Sequence, residues 1–158
     1  MATERQIALA RENMDVLCKA LDAEGINYRK DEQKLTVHTA VKGKNTDILV
    51  AITLNPDFSV LSLLCPVNVE VPERYKKTFA LATSRINFAL LDGGYDYNVQ
   101  SGAVMFRLST CYEESVLSEE AFRYLLFTAF GTCDEYHAAL KTVVERAMTP
   151  DQIYNFIN

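Results

Sequence analysis

Cys133 and His137 stand four residues apart, a spacing that sets two side chains on one face of a helix, and both are zinc-ligand types. Two ligands make only a fragment of a metal site, and Cys133 also falls on an apolar repeat, so no metal is expected. The second histidine, His38, sits on the more polar side of an alternating segment and reads as solvent-exposed. Cys18, Cys65, Cys111 and Cys133 are widely spaced, with no C-x-x-C pair. They read as reduced thiols, small hydrophobes of a cytoplasmic protein. Glu113-Glu114 and Glu119-Glu120 offer carboxylates for acid–base work, but a loop and a helix start account for both pairs. Ser84, Ser109 and Cys111 lack a nucleophile motif of the G-x-S-x-G kind. Asp92-Gly93-Gly94 is glycine-rich, yet it closes a helix, whereas phosphate cradles open one. The residues therefore predict no catalytic site and no cofactor, and the expected class is not an enzyme.

The elements that would position a site are clearer. Thr3-x-x-Gln6 has the form of a capping box, and Ile7, Ala10, Met14, Leu17 and Leu21 follow at helical spacing, so a helix is expected over about 3–24, stopped by Gly25. The period then changes from 3.6 to 2. Ile26–Arg29, Leu35–Val41, Ile48–Leu54 and Phe58–Cys65 read as four strands joined by short turns, which makes them antiparallel. Pro72 suits a helix start, and Tyr75, Phe79, Ala82, Ile86 and Ala89 form a stripe that Leu81, Phe88 and Leu91 widen. Tyr95–Gln100 and Ala103–Tyr112 read as a hairpin turning at Ser101-Gly102. Ser118 caps a third helix with Phe122, Leu126, Ala129, Cys133, Tyr136, Leu140 and Val143 on one face, and Thr149-Pro150-Asp151-Gln152 opens a short fourth. The expected fold is α+β, order α-β-β-β-β-α-β-β-α-α, with helices packed on a twisted antiparallel sheet and one domain over 1–158.

Composition agrees with a globular chain: 158 residues, 49% apolar and 23% charged. A net charge of −5 argues against nucleic acid or anionic membrane as a partner. Lys42 with Lys44, and Arg74 with Lys76 and Lys77, are the only basic clusters and read as solvated surface charge. The opening residues hold scattered charges and no apolar run, so no secretory leader is expected, and no segment is long enough to span a membrane.

Surplus apolarity is the stronger signal. Leu49, Ala51, Leu61 and Leu63 alternate against Ile48, Val50, Ile52, Phe58 and Val60, which leaves the middle strands without a polar second face. The third helix adds Tyr124, Leu125, Phe127 and Phe130 beside its main stripe. Either a crowded core absorbs these side chains or a partner covers them. Leu49, Ala51, Leu61, Leu63, Tyr124 and Phe127 are the expected protein-contact residues.

The second half also carries a resemblance. Arg85-Ile-Asn87, Leu91-Asp-Gly-Gly-Tyr95, the hairpin Tyr97-Asn-Val-Gln-Ser-Gly-Ala-Val-Met-Phe-Arg-Leu108, Leu117-Ser-Glu-Glu120 and Cys133-Asp-Glu-Tyr-His-Ala-Ala-Leu140 resemble the YbjN family of bacterial sensory transduction regulators. The resemblance covers about 72–144 and continues into the first half as an order of elements. It implies a fold like that of type III secretion chaperones and a cytoplasmic, non-enzymatic, chaperone-like module, and it brings no catalytic residues. The expected function is protein binding, as a homodimer or by holding a client segment at a sheet edge or in an apolar groove. The alternative is a small-ligand regulatory domain whose pocket is lined by some of the eight tyrosines and eight phenylalanines.

Overall fold

Local signals start the helices where the sequence places them. In a computed structural model that describes residues 1–157, α1 spans Glu4–Ala23 behind the Thr3 cap. The Gln6 amide donates to Thr3 Oγ1 at 3.2 Å, and the Thr3 amide donates to Gln6 Oε1 at 2.8 Å. β1 (Tyr28–Asp31), β2 (Thr36–Lys42), β3 (Asp47–Asn55) and β4 (Val60–Pro66) follow. After a 3-10 turn at Glu73–Tyr75 come α2 (Lys76–Ala89), β5 (Gly94–Tyr97), β6 (Val104–Cys111), α3 (Glu119–Glu145) and α4 (Pro150–Phe156). The order is the expected one. Pro72 opens the 3-10 turn rather than α2 itself. Ser118 and Thr149 cap α3 and α4, the latter with its full capping box.

All strands join one antiparallel sheet in the order β1-β2-β3-β4-β6-β5, with β1 and β5 at its edges. Helices pack on one face. That face carries Val37, Ile48, Val50, Ile52, Leu54, Leu61, Leu63, Cys65, Phe106 and Leu108, all buried, together with the inner stripes of α1, α2 and α3 in one core. Asn13 of α1, itself buried, ties α1 to the β6–α3 loop. Its Nδ2 donates to the Leu9 and Ser115 carbonyls at 3.0 Å each, and its Oδ1 accepts from the Leu117 amide at 2.9 Å.

Three expectations are corrected here. Leu61 and Leu63 are 0% and 1% exposed, not on the outer face. Asn55 pairs with Val60 across the turn, so Leu61 falls opposite Leu54 and Leu63 opposite Ile52, on the core side. Phe58 lies in the turn and is exposed, and Val60 takes the open face. In α3, Leu125 and Phe130 are core, while Tyr124 and Phe127 point outward. The largest correction concerns α2: Leu81, Phe88 and Leu91 do not widen its buried stripe but are 48%, 85% and 94% exposed.

The open face of the sheet is more polar than the alternation suggests. Thr36 pairs with Thr53 and Ser62 with Ser109 through hydroxyls at 3.1 and 2.9 Å, and Arg107 meets Asp96 at 2.9 Å. Leu49 is its one large exposed aliphatic, with Ala51 half-buried beside it.

Candidate protein-binding surface

The side chains with chemical potential are dispersed or inert. His38 is exposed on β2, and Glu113, Glu114, Glu119 and Glu120 are all exposed. Ser109 is occupied with Ser62. Cys133 and His137 do share an inner face of α3, near Cys65 and Tyr95, but no group of three acidic, histidine or cysteine side chains among the described residues could hold a metal ion. His137 is buried with no partner for Nε2, and desolvation, assisted by Lys141, lowers its pKa to about 4. A hydrogen bond with Cys65 and burial both push the Cys133 thiol far up, and burial pushes Tyr95 up. These shifts keep each group neutral, the reverse of an activated nucleophile. Gly93, at φ +74°, is required for packing: a Cβ there would stand 2.4 Å from Phe106 Cζ.

The aromatic residues of the interior pack on one another rather than around a void. Phe79 meets Tyr97 edge-on with centroids 5.0 Å apart, and Tyr95 lies 5.4 Å from Phe106 and 5.7 Å from His137. The aromatic-lined ligand pocket therefore finds no support in the arrangement of these side chains.

A different site forms on the outer side of α2, where α4 folds back along it. Ile153 and Ile157 are buried and anchor α4. Tyr75 Oη donates to the Met148 carbonyl, and Arg85 Nε donates to the Ile157 carbonyl at 3.1 Å. The Arg85 guanidinium also stacks over the Tyr154 ring, 4.5 Å from its centroid. Between the two helices lies a groove of about 540 Å³ lined by Leu81, Ser84, Arg85, Phe88, Ile153 and Tyr154, with Pro150 and Asp151. Leu91, just past α2, and Phe156 in α4 are also exposed. Leu81, Ser84 and Phe88 recur at three and four residues, so they share one face of α2, and the small serine leaves a notch between two large side chains. Sequence reading missed this face because α2 is apolar on both sides. The unabsorbed signal was Leu81 and Phe88, which fall off the Tyr75–Phe79–Ala82–Ile86–Ala89 stripe.

The β5 edge is closed at Tyr95, and the β1 edge is short and charged. On β5, the Tyr95 amide donates to Asn87 Oδ1 at 2.7 Å, and Asn87 Nδ2 donates to the Tyr95 carbonyl at 3.0 Å. At Tyr95 the Asn87 amide thus takes the hydrogen bonds that an added strand would make. On β1, a strand of four residues, Lys30 pairs with Asp15 at 3.0 Å and Glu32 at 3.2 Å. Short charged edges of this kind resist pairing. Of the expected contact residues, Leu49 and Ala51 therefore lie on the open sheet face, Tyr124 and Phe127 on the outer face of α3, and Leu61 and Leu63 in the core. The six do not form one surface.

A six-stranded antiparallel sheet with helices packed on one face, in this order of elements, is the type III secretion chaperone-like fold. SchA and HopA1, solved together as a chaperone–effector complex, give a match with a TM-score of 0.55 at 12% identity, covering 89% of this chain and 98% of that one. A chain of the ExsC–ExsE complex matches with a TM-score of 0.50 at 14% identity, covering 89% and 96%. Within this class the chain belongs to the YbjN family, described as "Putative bacterial sensory transduction regulator", whose family model matches residues 13–142. The crystal structure of YbjN from E. coli is similar in fold, with a TM-score of 0.58 at 14% identity over 85% of this chain and 93% of that one. No curated protein sequence matches this chain.

Proposed function

We propose that this chain is a non-enzymatic protein-binding module of the chaperone-like or regulatory kind, acting in the cytoplasm as a single domain and as a homodimer. The observation that carries the reading is the exposed apolar surface of α2 and α4, where Leu81, Phe88 and Tyr154 line one groove. Apolar side chains clustered in this way on a protein surface mark contact sites. The fold supports the class, since SchA shares it and is described in complex with an effector. Family membership supports the regulatory side. In this reading the α2–α4 groove receives a partner protein. Leu49 with Ala51 on the sheet, and Tyr124 with Phe127 on α3, are the two surfaces for self-association. Cys18, Cys65 and Cys133, buried and unbridged, suit a reducing compartment.

Light scattering coupled to size exclusion, over a tenfold concentration range, tests the homodimer. The wild type is expected to be a dimer, and either Leu49→Glu or Phe127→Glu is expected to yield a folded monomer. A monomeric wild type rejects the homodimer. A dimer lost only in Phe88→Glu gives the groove to a second copy of the chain and rejects the allocation above.

A further inference from the structure

We infer that the partner enters the α2–α4 groove as an amphipathic α-helix with acidic residues at one end, and not as an added β-strand. This rests on the protein-binding reading and names the chemistry of the partner.

The form of the partner follows from what the surface offers. Strand addition needs a row of free backbone donors and acceptors. The Asn87 side chain already satisfies Tyr95 on β5, and β1 is short and flanked by the Lys30 ion pairs. The groove offers side chains instead. Leu81, Ser84 and Phe88 run along a helix face, and Tyr154 forms the opposite wall. A notch over a small residue between two large ones is a hole for a knob, and a helix delivers knobs every three or four residues. With 14 residues, α2 is about 21 Å long and matches a partner helix of about four turns.

The charge of the partner follows from the rim. Arg74 and Lys77 are exposed, one to two turns before Leu81, and have no ion-pair partner among the described residues. Lys76, between them, is bound to Glu73 and to the Gln100 carbonyl. Arg85 adds a third cation near the centre, against the single carboxylate of Asp151. A chain of net charge −5 thus presents a basic end on the helix that bears its apolar groove. A second copy docking α2 against α2 about Ser84 would bring the two Arg85 side chains together, which disfavours that occupant.

Selection from a displayed library of random 16-residue peptides tests this. The peptides are selected on the wild type and counter-selected on Phe88→Glu. The selected sequences are expected to carry Leu, Ile or Phe at helical spacing with Asp and Glu at one end, and to be helical by NMR when bound. Their affinity is expected to fall at least tenfold with Phe88→Glu and with Ser84→Trp, which fills the notch without changing charge. Reversal of Arg74 and Lys77 to Glu is expected to weaken them several-fold, less so at high salt. All these positions are exposed or half-buried, and far-UV circular dichroism of each variant checks the fold. Peptides that need Phe88 but bind extended, or carry basic ends, overturn the inference and leave the protein-binding reading intact. Peptides indifferent to Phe88→Glu, or no peptides at all, overturn both.

Discussion

At the scale of single residues, the buried polar side chains govern stability. His137 is buried beside Tyr95 without a partner for Nε2. Its pKa is lowered from 6.5 to about 4, so the unfolded chain takes up a proton that the folded chain refuses. Stability is then full above pH 6.5, falls between 6.5 and about 4, and levels off below; at 1.36 kcal/mol per pH unit the loss is about 3 kcal/mol. Asp134, whose carboxylate accepts from the Asn45 and Thr46 amides, has a lowered pKa and adds a loss in more acidic solution. Urea midpoints measured from pH 7 to 4 are expected to fall steeply for the wild type and less for His137→Leu; an unchanged slope in the variant would remove His137 from this account. Gly93→Ala meets two obstacles, a left-handed φ of +74° and the Phe106 ring. It is expected to cost about 2–4 kcal/mol, read as a lowered Tm.

At the scale of elements, two asparagines act as joints. Asn13→Ala leaves the Leu117 amide and the Ser115 carbonyl unpaired where α1 meets the β6–α3 loop, at an expected cost of about 2–3 kcal/mol in denaturant unfolding. Asn87→Ala frees the outer edge of β5, and amide exchange at Tyr95 is expected to quicken at least tenfold; unaltered exchange would show that the edge is closed by something else. The elements themselves were legible because their signals are local. A capping box or a glycine stop is complete within a few residues, as at Thr3-Gln6 and Thr149-Gln152. The faces were less legible. In β4 the turn decides which alternate residues look inward, and a one-residue difference in where pairing resumes moved Leu61 and Leu63 from surface to core. In α2, only the position of α4 and of the sheet determines which apolar side is covered, and both come from distant parts of the chain.

At the scale of the whole molecule, the helices share one face of the sheet, the hydroxyl pairs and ion pairs line the other, the β5 edge is closed at Tyr95, and the β1 edge is short and charged. What is left over is an apolar groove between α2 and α4 with a basic end, in a chain of the YbjN family with a chaperone-like fold. The candidate site was only partly readable from sequence, because exposure is a property of the assembled molecule. Tyr124, Phe127 and Leu49 lie outside as expected, whereas Leu81 and Phe88 of the groove read from sequence as part of the buried stripe of α2. Site-specific photo-crosslinking in native cells tests the account most directly, with a benzophenone side chain placed at position 88 in the groove or at the exposed position 33 in the β1–β2 turn. Discrete protein adducts are predicted from position 88, abolished by Leu81→Glu and absent from position 33. Equal adducts from both positions, or none from position 88, would contradict a binding surface built on α2 and α4.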